Sequence, residues 1–184
     1  MTHAPRITEA ELGQRIWSEL RRATADRHHE WRTPVLATTS LAGVPQARTV
    51  VLRGVDADAA QLVFYTDRRS PKVAELQASP AAALVFWSQR LKWQLRVDVR
   101  TQVHTQGARV DAAWAQVGPS TTAGDYLAPQ APGSALDFAA NAGTVTHHLA
   151  VIAAQVVQLD WLELSREGHQ RAQLVGRNVQ WLVP

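Results

Sequence analysis

Residues 48–72, RTVVLRGVDADAAQLVFYTDRRSPK, decide the fold. A β-branched run, Thr49-Val50-Val51-Leu52, stands between Arg48 and Arg53, and the polar segment Gly54 to Ala60 turns the chain. A second apolar run, Leu62-Val63-Phe64-Tyr65, then ends in Thr66, Asp67, two arginines, Ser70 and Lys72. The pattern predicts two strands joined by a short loop, with cations at both ends and a helix starting after Ser70. Helix-starting amides, a serine hydroxyl and fixed cations all donate to oxygen, so the stretch reads as a cradle for a phosphate monoester.

Composition narrows the alternatives. The 184 residues predict a single domain over 1–184, with a sizeable core and no need of staples. With no cysteine, disulfides and thiolate metal sites are excluded. No signal core opens the chain and no apolar run reaches the roughly 20 residues of a membrane span, so a soluble, cytoplasmic protein is expected. The formal charge is only +3, and 17 of the 19 cations are arginines interleaved with acids. Nucleic acid needs a basic face or run, which this pattern lacks. The cations that do bunch are Arg68, Arg69 and Lys72.

Working outward, residues 1–6 read as a disordered start. Thr8 and Glu11 form a capping box, and Leu12, Ile16, Leu20 and Ala23 recur at helical spacing, which predicts a helix over about 9–26. The barrel is expected over about 34–184. Its first strands are Val35 to Ser40, Gln46 to Arg53 and Leu62 to Thr66, spaced too closely for crossover helices and so an antiparallel meander. Ser70-Pro71 starts a helix to about Ala78. Ala81 to Ser88 is apolar on both faces and expected to be buried. Lys92 to Thr105 alternates strictly, putting Trp93, Leu95, Val97, Val99 and Thr101 inward and Gln94 outward. A helix over Ala108 to Gln116, a long loop from Val117 to Gly133 and a short helix capped by Ser134 follow. Leu149 to Asp160, His169 to Val175 and Val179 to Val183 complete about eight strands, enough for a closed barrel. The pairs His28-His29 and His147-His148 read as solvated, and no metal site is expected.

The order R-x-V-x-L-[RK], then F-Y-T-[DN]-x-x-S-x-K, then a strand ending in W-Q-L-R-V resembles the pyridoxamine 5′-phosphate oxidase-like flavoproteins, from about Pro34 to the C-terminus. The resemblance implies a mostly β fold with flanking α-helices, an antiparallel FMN-binding split β-barrel, and a homodimer holding FMN at its interface. Arg48, Val50, Val51, Leu52 and Arg53 match the segment that holds flavin and phosphate, Tyr65 and Thr66 match its second strand, and Ser70 and Lys72 match its phosphate grip. Gln94, Gln130, Trp161 and Arg171 match residues contributed by the other subunit, and His169 matches a position near the substrate. The implied activity is FMN-dependent oxidation or reduction of an unidentified small substrate; the alternative is a flavin- or haem-binding protein without turnover. Three departures stand against oxidation of pyridoxamine phosphate. Trp114 and Gly118 occupy the places of a tyrosine and an arginine that bind the substrate phosphate, and Glu167 replaces a further arginine. Pro71 also replaces a basic residue of the cofactor-phosphate grip, with Arg68 or Arg69 as candidate substitutes.

Overall fold

The computed structural model describes residues 7–137 and 147–184. The start expected at residues 1–6 lies outside them, as does the continuation of the helix expected after Ser134; Ser134–Asp137 itself is not helical.

Helix α1 (Glu9–Ala25) begins as the capping box demands: Thr8 Oγ1 accepts the Glu11 N–H at 3.3 Å, and the Glu11 carboxylate accepts the Thr8 N–H at 3.0 Å. Leu12, Ile16, Leu20 and Ala23 are fully buried, and the helix packs against β3 (Leu52–Asp56). Beyond it, the expectation of two solvated histidines fails at His29. Its Nδ1 accepts the Trp31 N–H at 3.1 Å, capping the 3₁₀ turn Glu30–Arg32, while Nε2 meets Glu19 at 2.9 Å. Those bonds secure the turn that delivers Trp31 to the core.

Nine strands are present among the described residues, where the sequence predicts about eight. The extra one arises inside the deciding stretch. The expected strand from Gln46 to Arg53 breaks into β2 (Pro45–Thr49) and β3: the Val50 N–H still meets the Pro34 carbonyl at 3.0 Å, the next rung of the β1–β2 ladder, but Pro34 has no N–H to return and the ladder ends there. The chain thereby leaves β1 (Val35–Thr39), the partner of β2, and joins β4 (Gln61–Asp67), the partner of β3. Arg48 and Leu52, four residues apart, thus serve different ends of one sheet.

All pairings are antiparallel, in the order β2-β1-β5-β6-β7-β4-β3 with β8 and β9 branching from β7. Strand β5 is Ala81–Ser88, β6 is Trp93–His104, β7 is Leu149–Glu163, β8 is Gln170–Val175 and β9 is Asn178–Leu182. One edge of β7 pairs with β6 from Val151 to Glu163; its other edge pairs with β4 over residues 149–155 and with β8 over 159–163. A register shift near Val157 separates the two halves, the bend a sheet needs in order to split into two lobes. On β6 the strict alternation places Trp93, Leu95, Val97, Val99 and Thr101 inside. Strand β5 departs from its expected burial: Leu84 and Phe86 are interior, but Trp87 keeps 40% of its surface exposed.

The core is aromatic along one line. Trp31 packs against Phe86 (5.7 Å between centroids) and Trp93 (6.4 Å), and Trp93 meets Trp161 edge to face at 5.2 Å. Trp161 then meets Trp181 at 6.3 Å, and the Arg15 guanidinium caps Trp93 at 5.0 Å. Trp31 therefore ties the α1–β1 connection to both β5 and β6. Trp31→Ala is expected to cost about 3–5 kcal/mol in urea unfolding. A loss below about 1 kcal/mol would show that neighbouring side chains fill the space.

Candidate functional site

Arg48 lies on β2 opposite Leu36, whose other neighbour is Leu84, and both leucines are core residues. Its side chain consequently runs inward, toward helix α2 (Pro71–Ala78), where Nη2 meets the Glu75 carboxylate at 2.9 Å. Thr38 completes a triangle: its hydroxyl donates to the same Glu75 oxygen at 2.6 Å and accepts from Arg48 Nη1. Lys72, one turn earlier on α2, sends Nζ to Ser70 Oγ at 2.6 Å and to Thr66 Oγ1 at 3.1 Å. Ser70 occupies the cap position of α2 as predicted, but its hydroxyl makes no capping bond and serves Lys72 instead. The structure thus brings together Arg48, Thr66, Ser70 and Lys72. Burial holds the Lys72 ammonium below its ordinary range, and nearby Arg48 lowers it further, against an opposing pull from Glu75 and Asp67.

The backbone at Val50 and Val51 is the crossing between β2 and β3, with Leu52 fully buried behind it. Arg53 sits at the bulge between Leu52 and Gly54, near enough to buried Tyr126 to offset part of the rise that burial imposes on its phenol. Burial raises the Tyr65 phenol above its usual range, with Arg53 offsetting part of that rise. Arg53, Tyr65 and Tyr126 therefore form one polar rim.

Arg69 is not a spare phosphate ligand. Nε and Nη2 grip the Asp67 carboxylate at 3.0 and 2.6 Å, and the remaining donors reach the carbonyls of Ala128, Pro129 and Gln130. Burial pushes Asp67 upward, but the Arg69 bonds outweigh it and the carboxyl lies below its usual range. This latch fastens the loop to the turn between β4 and α2, and Gly133 lies against Pro71. Gln130, which the family resemblance assigns to the opposite subunit, sits on that latched loop and accepts and donates to the Asp137 backbone. Arg68 remains exposed, its N–H on the His148 carbonyl.

Gln94 and Arg171 both stand on the opposite face of the sheet, on either side of Leu162 across β7. Arg171 holds the buried Asp160 in a bidentate pair, Nε at 3.0 Å and Nη2 at 2.8 Å, and Arg96 takes the same carboxylate. Burial acts to raise Asp160, and the two arginines more than reverse it. Alongside runs a groove of about 560 Å³ lined by Ala37, Ala81, Ala83, Asp98, Arg100 and Val157, small side chains with one acid and one base. Trp161 does not reach this face: it is 1% exposed and spent on Trp93 and Trp181. His169 is exposed in the turn before β8, its Nδ1 accepting the Ser165 N–H at 3.1 Å, so a neutral ring carries its proton on Nε2.

Around the expected substrate position, helix α3 (Ala108–Val117) carries Trp114, stacked on His147 at 4.3 Å. The indole is also pressed on Gly118, where a Cβ would come within 3.3 Å of the ring. His147 and His148 are thus not solvated; each keeps Nδ1 buried without a partner among the described residues. Part of the expected loop winds into a 3₁₀ turn, Thr121–Tyr126, that supplies Tyr126. Sequence reasoning missed Thr38, Glu75, Tyr126 and Asp160. Glu75 had one signal, its place three residues after Lys72 on the same helix face.

A sequence profile described as "Pyridoxamine 5′-phosphate oxidase, FMN-binding domain" matches residues 14–105. A pyridoxine/pyridoxamine 5′-phosphate oxidase of Synechocystis is 35% identical over 128 residues, 67% of this chain and 58% of that protein. Matched segments span from 29% to 58% of the lengths of the curated relatives compared. The crystal structure of a pyridoxamine 5′-phosphate oxidase-related, FMN-binding protein from Nostoc punctiforme superposes with a TM-score of 0.75, covering 100% of both chains at 20% identity. PhzG from Burkholderia lata, solved with tetrahydrophenazine-1-carboxylic acid, gives 0.73 at 18% identity, covering 98% of this chain and 94% of its own. Likeness at that level of identity speaks for the fold, and the profile match over residues 14–105 speaks for the sequence family. By both, this chain belongs to the pyridoxamine 5′-phosphate oxidase-like family of FMN-binding split barrels.

Proposed function

We propose that this protein is an FMN-dependent oxidoreductase whose cofactor phosphate seats on Lys72. One observation carries the reading: a half-buried ammonium, lowered by burial and by a neighbouring guanidinium, whose two hydrogen bonds both end on hydroxyls. The pull of Glu75 and Asp67, neither of which bonds the ammonium, does not offset its desolvation, and a phosphate monoester would supply an anion in direct contact. Ser70 and Thr66 hold the ammonium and Arg48 adds a second cation, while the Val50–Leu52 backbone and the Arg53–Tyr65 rim face the flavin. Bound FMN would supply hydride or electron transfer; the chain binds it, orients the substrate and shields the site from water.

Two copies are needed for a complete site. Arg48 and its core neighbours point to one face of the sheet and Gln94 and Arg171 to the other, so the two groups cannot converge on one flavin within a protomer. A homodimer brings Gln94, Arg171 and His169 of one copy to the cradle of the other. The groove beside them and the half-exposed Trp87 favour that face for the contact. His169 then presents its Nε2 proton to the substrate. Trp161, enclosed in its own core, supports the strand that carries the contact and does not cover the flavin. Gln130 serves its own protomer's cradle.

Trp114, closed between His147 and Gly118, occupies the region where the vitamin oxidases bind a phosphorylated pyridine, so the substrate proposed is not of that kind. The same closure favours a second reading, flavin or haem binding without turnover. A visible absorption spectrum of the purified protein, followed by NADH or NADPH reduction and reoxidation by candidate acceptors, separates the two. Reduction with reoxidation supports the oxidoreductase, a flavin spectrum that never cycles supports storage or carriage, and a protein that takes up no FMN refutes both.

Arg48→Ala and Lys72→Ala should each weaken FMN about 10- to 100-fold by fluorescence titration, the equivalent of one charge-assisted bond. The Lys72 shift also fixes a pH dependence. Its pKa lies below the ordinary 10.5 before the phosphate arrives, and the phosphate favours its charged form, so binding takes up a proton. FMN affinity should therefore fall as pH rises toward 10.5, and Lys72→Arg should flatten that decline. For the interface, Ala83→Glu beside Asp98 should yield a monomer by light scattering and weaken FMN although the cradle is untouched.

A further inference from the structure

We infer that Glu75 is the positioning residue of the phosphate cradle: through Thr38 it fixes the Arg48 guanidinium so that its remaining donors meet the phosphate. The inference rests on the cradle reading and adds a residue to it. Three observations support it. Glu75 is a buried acid on α2, 6% exposed, with the Arg48 Nη2 and the Thr38 hydroxyl converging on a single oxygen at 2.9 and 2.6 Å. Thr38 in turn accepts from Arg48 Nη1, so both terminal nitrogens of the guanidinium are oriented. These bonds link three separate elements, β1, β2 and α2, and Lys72 lies on the same helix one turn away.

An arginine beside a phosphate needs no carboxylate for charge, and Glu75 opposes the incoming anion. A purely electrostatic account therefore predicts tighter FMN when Glu75 is removed. Positioning predicts the reverse. Arg48 is long and flexible, and an arginine held in place loses less freedom when it binds; a guanidinium has five donors, of which this triangle uses two. Others remain for the ligand. A third account, in which the triangle merely staples β2 to α2, predicts loss of folding stability with no preference for phosphate.

Comparison of FMN with riboflavin, which lacks the phosphate, separates the three. With Glu75→Leu, FMN affinity should fall about 10-fold while riboflavin affinity stays within about 2-fold of the parent, the scale of one charge-assisted bond. Glu75→Gln keeps an oxygen acceptor at the same reach and should restore most of the FMN affinity. If Glu75→Leu does not fold, Thr38→Val tests the same bridge and should weaken FMN by about 3- to 10-fold, again without effect on riboflavin. Tighter FMN in Glu75→Leu overturns the inference in favour of charge, and an unchanged FMN-to-riboflavin ratio in both Glu75→Leu and Thr38→Val overturns it in favour of the staple. A parent protein that binds riboflavin as well as FMN would instead refute the cradle itself, a result distinguishable from either.

Discussion

The structure depends on β7 serving two partners along one edge. Its first half pairs with β4 and its second with β8, while β6 runs along the other edge for its whole length. A strand shared in this way cannot stay straight, and the register shift near Val157 lets it bend. Everything else about the architecture follows from that division. The crossing at Val50–Val51 transfers the chain from the β1 side to the β4 side, and it leaves backbone at a place where neither ladder claims all of its hydrogen bonds. Binding sites gather at such places because unclaimed polar groups, costly in a core, are available to a ligand.

The electrostatics of the two faces follow different rules. On the outer face Asp160 satisfies Arg171 and Arg96 together, and a buried carboxylate holding two guanidiniums leaves one positive charge spread over half-exposed groups. On the inner face Glu75 satisfies Arg48, and Lys72 is left with hydroxyls. Solvent can screen the surplus on the outer face but screens the surplus at Lys72 far less. The half-buried charge therefore makes the stronger claim on an anion, although the outer face holds more arginines. Arg69 shows the converse: prominent in sequence, it is fully occupied by Asp67 and by three carbonyls of the loop it fastens.

Much of this was legible before the structure. The capping box, the strict alternation of β6, the Ser70-Pro71 helix start and the grouping of Arg48 with Ser70 and Lys72 all depend on local chemistry, which a sequence displays directly. What could not be read depends on contacts between distant residues. Nothing near Val50 announces that its partner across the ladder is Pro34, which has no N–H to continue the pairing, so one expected strand became two. Trp161 falls at a position whose family counterpart covers the cofactor, yet in this chain the sum of Trp31, Trp93 and Trp181 draws its ring into the core. His29 and His147 looked solvated because adjacent histidines usually are; their partners, Glu19 and Trp114, lie 10 and 33 residues away in sequence.

The latch at Arg69 changes how the proposed shared site would be divided. If the loop bearing Gln130 came from the partner, each flavin would depend on two separate partner segments, one of them a loop with little regular structure. Fastened to the Asp67–Arg69 turn, that loop would instead join the proposed cradle of its own protomer. In the proposed dimer the partner's share would reduce to Gln94 on β6 and Arg171 on β8, the two strands that flank β7, and His169 at the turn between β7 and β8. A ladder with paired strands on both sides positions side chains more rigidly than a loop does. In the proposed dimer the phosphate end is therefore set within one chain, and the second chain's contribution is confined to the ring and the substrate.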